Sequence, residues 1–119
     1  RRNDLTYITD VWENEPHIDR EQLSKSMVAT PHIAGYSAQG KANATALAVQ
    51  ALARHFNLPL ADWRPSEVAT IAPKVISWKE MCATIGDYCN LTTESDRLRR
   101  EPALFESLRN NYQLREEYF

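Results

Sequence analysis

Glycine is scarce in this chain. Gly35, Gly40 and Gly86 are the three in 119 residues, and they form no G-x-G-x-x-G turn, so these residues cannot build a pyrophosphate cradle. Cysteine is scarcer. Cys82 and Cys89 lie seven positions apart, which on a helix puts them on one face two turns apart, beyond disulfide reach. With no C-x-x-C, reduced and mostly buried thiols are expected. No apolar run approaches the roughly 18 residues of a membrane span, and the first residues carry no secretion pattern; a cytosolic chain is the expectation. An excess of one charge is also missing. Fourteen basic against sixteen acidic residues leave a net charge of −2, which offers no footprint for nucleic acid or an anionic membrane surface, so neither partner is expected. His17, His32 and His55 have no ligand spacing, and no metal site is expected.

What is present fits a globular chain of one-domain size, with 43% hydrophobic and 25% charged residues. The stretch Met27 to Gly35 (MVATPHIAG) reads as a short buried strand ending at Pro31, whose ring keeps Thr30 extended and which has no N–H for a ladder. That strand delivers His32 to its end. The stretch Asp4 to Pro16 (DLTYITDVWENEP) is rich in β-branched and aromatic residues and reads as a second strand, closing on Asp10, Glu13 and Glu15. Between the two, Asp19 followed by Gln22 marks a capping box for a short helix over Asp19 to Ser24, so the strands are expected to be parallel. Ligands in open α/β sheets sit beyond the carboxyl ends of strands, where an acid and an imidazole would meet. A carboxylate against a ring N–H fixes the tautomer and favours the imidazolium, which suits a proton donor and acceptor near neutral pH. Taken alone, Glu13 and Glu15 read equally well as solvated loop acids.

The pair Asp10-Val-Trp-Glu-Asn-Glu-Pro16 and Thr30-Pro-His-Ile-Ala-Gly35 resembles the C-terminal part of the nucleotide-binding domain of D-isomer-specific 2-hydroxyacid dehydrogenases. The resemblance implies an NAD-dependent oxidoreductase. His32 would exchange a proton with the substrate's hydroxyl or keto oxygen and Glu15 would pair with it, while Asp10, with the small residues Ala34 and Gly35, would approach the nicotinamide end of the cofactor. The segments Gly35 to Thr45 and Phe105 to Tyr118 narrow the likeness to a member acting on a phosphorylated 2-hydroxy acid, with Tyr36 a substrate contact. In that member the long helix leads into an extra C-terminal dimerisation domain, so a homodimer is expected. The implied fold is α/β: the C-terminal remnant of a Rossmann-type domain (strand, short helix, strand, long helix) followed by a small α+β dimerisation domain. The family's phosphate loop and substrate-carboxylate arginine lie upstream, so the chain reads as a C-terminal fragment that should not turn over substrate alone. Two alternatives stand beside this reading: another 2-hydroxyacid dehydrogenase, such as one acting on 3-phosphoglycerate, or a non-catalytic dimerisation module.

The rest of the chain divides into residues 1–56 of the nucleotide-binding domain, a linker 57–65 and a dimerisation domain 66–119. Arg1 to Asn3 is expected to fray. Ser37 precedes an Ala-rich helix reaching Phe56, with Ala44, Leu47, Ala48, Ala51, Leu52 and Phe56 on one face of an ordinary buried helix. Glu67 to Ala72, ended by Pro73, is a strand candidate. Ser77 caps a helix from Trp78 to about Cys89, whose stripe of Trp78, Met81, Cys82, Ile85 and Cys89 is core or subunit interface. Thr92 to Arg100 reads as a solvated helix face, Pro102 opens a further helix through Asn110, and Tyr112 to Phe119 looks like the entrance to a strand.

Overall fold

A computed structural model describes residues 5–72 and 74–117. The expectations for Arg1 to Asp4, Pro73, Tyr118 and Phe119 lie outside the described residues. The chain is a mixture of helices and one small two-stranded parallel sheet. By internal packing it forms two units, residues 5–34 with 86–113, and 35–85 with 114–117. This grouping follows contact rather than chain order.

In the first unit, β1 (Tyr7–Thr9) pairs in parallel with β2 (Ser26–Ala29), Thr9 standing opposite Ala29. The intervening α1 (Arg20–Lys25) starts where the capping signal put it, the Asp19 carboxylate accepting the Gln22 N–H at 2.7 Å. β2 ends at Ala29, and the extended Thr30 still donates its N–H to the Thr9 carbonyl at 2.9 Å. Beneath the sheet lies a core of Trp12, Ile18, Leu23, Ala29, Leu98 and Phe105, with Leu108 packed against it. The last three come from the C-terminal helices α4 (Leu91–Arg100) and α5 (Phe105–Asn110), the latter entered through a 3₁₀ turn, Pro102–Leu104.

The expectation that Thr92 to Arg100 is a solvated face is corrected here. Ser95 and Leu98 are buried, and α4 supplies side chains to an edge of β2: Ser95 Oγ accepts the Ala29 N–H at 3.0 Å, while Arg99 donates to the carbonyls of Ser26 at 2.5 Å and Met27 at 2.9 Å. Arg99 also donates to Ser95 Oγ at 2.7 Å, so the two side chains form one connected brace. Strand-edge backbone groups need partners, and residues four apart on a helix present an acceptor and a fork of donors side by side.

In the second unit, α2 (Ala38–His55) begins at Ser37, whose hydroxyl caps the Gly40 N–H at 3.0 Å. A Cβ at Gly40 would stand 2.6 Å from that hydroxyl, so a larger residue there would displace the cap. The expected buried face is corrected: Leu47, Leu52 and Phe56 are about 60% exposed, and Ala44, Ala48 and Ala51 are exposed with them. Gln39, Ala46 and Ala53 turn inward instead. Gln50 donates to the Trp63 carbonyl at 3.0 Å and Arg54 to that of Ala61 at 3.2 Å, which ties the 57–65 segment to α2. Periodicity identifies which residues share a face but not which face meets a neighbour.

Glu67 to Ala72 is irregular rather than a strand. It has no ladder partner among the described residues, and residues 68–71 line a cavity of about 310 Å³ with Gln39, Ala42, Asn43, Arg64, Pro65 and Glu117. The expected C-terminal strand reduces to a single parallel bridge, Ser37 with Arg115. In α3 (Trp78–Tyr88), Ser77 and Glu80 cap each other, the Ser77 N–H reaching Glu80 Oε2 at 2.8 Å. Its stripe is not core: Trp78 is 74% exposed and Cys82 exposed, with Met81, Ile85 and Cys89 half-buried. The free thiols are therefore more accessible than expected, Cys82 exposed and Cys89 half-buried.

Candidate functional site

The two strand ends of the first unit carry the site. Asp10 follows β1 directly, and its carboxylate accepts three hydrogen bonds from the segment after β2: Thr30 Oγ1 at 2.6 Å, Ile33 N–H at 2.8 Å and Ala34 N–H at 3.1 Å. The residue in the middle of that segment is His32, whose φ is 57°. A left-handed conformation strains a non-glycine residue and persists only where its surroundings over-determine it. Here they do. Thr30 and Pro31 are buried on one side, and Asp10 collects the flanking donors on the other. The imidazole is thereby aimed back at the loop after β1.

That loop presents Glu15. Its Oε2 lies 2.9 Å from His32 Nδ1, and its Oε1 accepts the Trp12 backbone N–H at 2.9 Å. Because an ionised carboxylate only accepts, the imidazole proton belongs on Nδ1, and Nε2 is the ring atom left to accept a proton from elsewhere. Access agrees: the His32 side chain is 38% exposed and that of Glu15 only 20%. Glu13, the other acid that the sequence offered, is exposed and stands outside the pair. Trp12 is buried, and its indole N–H donates to the Thr30 carbonyl at 2.9 Å.

Burial raises the Glu15 carboxyl's affinity for a proton, but the hydrogen bond from His32, the Trp12 N–H and the positive charges of His32 and Arg109 outweigh it and hold the carboxyl below its ordinary value near 4.5. The sign of the consequence follows from linkage. A depressed folded-state value stabilises the fold above pH 4.5, and that contribution disappears as the pH falls through the folded-state value. Urea unfolding of the chain and its Glu15→Gln variant should therefore show a stability difference at pH 6 that shrinks towards pH 3; a difference constant with pH would refute the pairing's contribution.

Of the remaining expected site residues, Ala34 is exposed, with its N–H on Asp10. Gly35 belongs to the second unit, and a Cβ built there meets nothing within 4 Å. Tyr36, in the same unit, has the Lys41 ammonium 3.6 Å from its ring centroid. Sequence reasoning missed the indole bond of Trp12, the Asp10 bonds to the segment around His32, and Arg109. A buried aromatic in an acid-rich loop was the one available signal for Trp12, whereas nothing local points from Arg109 to a loop far upstream. Among the described residues no cluster of His, Cys, Asp and Glu suits a metal ion, and no helix is long and apolar enough to cross a membrane.

No protein-family model matches the chain. Among curated proteins it is similar to the erythronate-4-phosphate dehydrogenase of Bacteroides thetaiotaomicron, 44% identical over 110 residues, and to that of Bacteroides fragilis, 45% identical over 112 residues. Each match covers 92% of this chain and 31% of the relative. A third, from Teredinibacter turnerae, is 33% identical over 126 residues, 98% of this chain and 34% of the relative. The chain thus spans about a third of the length of the curated relatives it matches, corresponding to their C-terminal part.

Proposed function

We propose that this chain is the proton-transfer part of an NAD-dependent erythronate-4-phosphate dehydrogenase, a cytoplasmic enzyme of pyridoxal 5'-phosphate synthesis that converts 4-phospho-D-erythronate to 2-oxo-3-hydroxy-4-phosphobutanoate. One observation carries the reading: Glu15 Oε2 and His32 Nδ1 lie 2.9 Å apart at the ends of neighbouring parallel strands. The similarity to dehydrogenases of that name supports the choice of substrate.

His32 Nε2 takes the proton of the substrate's C2 hydroxyl as the alcohol becomes a ketone. Glu15 stabilises the resulting imidazolium and keeps the ring from turning. Returning the proton in the reverse direction uses the same atoms. NAD, when bound, supplies the acceptor for the hydride leaving that carbon. The small, exposed Ala34 fits a close approach by the cofactor's nicotinamide end. Asp10 serves this end of the site through its hold on Ile33 and Ala34, and Tyr36 contacts the substrate. The sheet, α1 and α2 are the remnant of a Rossmann-type domain. Residues 66–119 join two copies into a homodimer, and the 119 residues alone are catalytically incomplete.

The test is an assay of the full-length protein with 4-phospho-D-erythronate and NAD, following NADH by absorbance. Substrate-dependent NADH formation is expected. Activity with 3-phosphoglycerate and none with 4-phospho-D-erythronate would reassign the substrate, and no activity with either would overturn the reading.

A further inference from the structure

We propose that Trp12 is a positioning residue that holds Glu15 and His32 at hydrogen-bonding distance, a role that rests on the proton-transfer reading of that pair. Trp12 touches both sides of the pair without belonging to either. Its backbone N–H occupies Glu15 Oε1, which turns Oε2 towards the imidazole, and its indole N–H occupies the carbonyl of Thr30, two residues before His32. Both bonds are 2.9 Å long. Pro31 stands between Thr30 and His32, with its φ fixed by the ring and its side chain fully buried. An orientation imposed on the Thr30 peptide therefore passes to His32 with little slack.

The third support of Trp12 is the core. Its ring is 5% exposed and packs with Ile18, Leu23, Ala29, Leu98 and Phe105. The two halves of the pair are thus referenced to one rigid body, where residues joined only by loops would drift independently. Displacement of about 1 Å in a proton-transfer geometry costs on the order of 100-fold in rate, so the indole bond has a catalytic consequence although the ring touches no substrate. Phenylalanine at this position would fill most of the same volume, keep the backbone N–H and lose the indole donor.

The experiment compares the full-length protein with its Trp12→Phe variant and with a second variant carrying benzothienylalanine at position 12, which has the shape of tryptophan and no N–H. In both, kcat should fall by about 10–100-fold with KM for substrate nearly unchanged, the split expected when only the reacting geometry is disturbed. In the full-length protein, carboxyl ¹³C titration of selectively labelled Glu15 should show its midpoint rising towards its ordinary value in the same variants, because its hydrogen bond from His32 loosens. A purely structural role would lower the melting temperature and move neither readout. Wild-type kcat and an unmoved Glu15 midpoint in the isosteric variant would overturn the proposal. If the full-length protein lacks dehydrogenase activity, the reaction assigned above fails, and the Glu15 titration by itself decides the role of Trp12.

Discussion

Replacing His32 by alanine in the full-length protein is expected to lower kcat by about 10²–10⁴-fold, the usual worth of a positioned general acid and base, while leaving cofactor affinity largely intact. The expectation rests on division of labour. The proposed reaction makes the imidazole Nε2 the proton acceptor, whereas the backbone of residues 30–34 is held by Asp10 whatever side chain occupies position 32. A glycine variant separates chemistry from folding. At φ 57° an alanine keeps the steric cost of the left-handed conformation, about 1–2 kcal/mol, and a glycine does not. His32→Gly should therefore lose as much turnover as His32→Ala while unfolding at a higher urea concentration than the alanine variant. Steady-state kinetics, a fluorescence titration with NADH and urea melts read all three quantities. Turnover equal to wild type in either variant would remove His32 from the mechanism.

The largest effect on stability is expected at Phe105. It is 1% exposed and packs with Trp12, Leu23, Ala29 and Leu98 in one core. Phe105→Ala removes a ring that the backbone around it cannot fill, and such truncations cost about 3–5 kcal/mol. Against a total stability of about 5–15 kcal/mol for a small domain, that is a large share. Because the same core supports Trp12 and β2, Glu15 and His32 should come apart as the fold opens, and the Glu15 carboxyl should then titrate at its ordinary value. Phe105→Leu keeps most of the volume and should cost much less. Equilibrium urea unfolding of the three proteins checks the order; a loss below about 1 kcal/mol for Phe105→Ala would mean that the site can collapse around the missing ring.

How much was legible in the sequence depended on how far each feature's partners lie along the chain. The cap of Asp19 over Gln22 and Pro31 as the end of β2 were legible because a cap or a proline acts on groups within a few residues. That strand ends bearing acids and an imidazole would meet was legible from two strands joined by a short helix, but the choice of Glu15 over Glu13 came from the family resemblance. The two short strands, the short helix between them and the Ala-rich helix after Ser37 were thus legible in local sequence.

Tertiary structure alone decided which surfaces those elements share. It turned Gln39, Ala46 and Ala53 of α2 inward and left Leu47, Leu52 and Phe56 outside. It took Glu67 to Ala72 out of any sheet and made Ser95 and Arg99 the brace of an edge of β2. It also joined Trp12 to Thr30 and brought the charge of Arg109 to bear on Glu15. The physical reason is that propensity and periodicity are properties of a segment, whereas burial and the satisfaction of backbone groups belong to a pair of surfaces, and the second surface of each pair lies elsewhere in the chain.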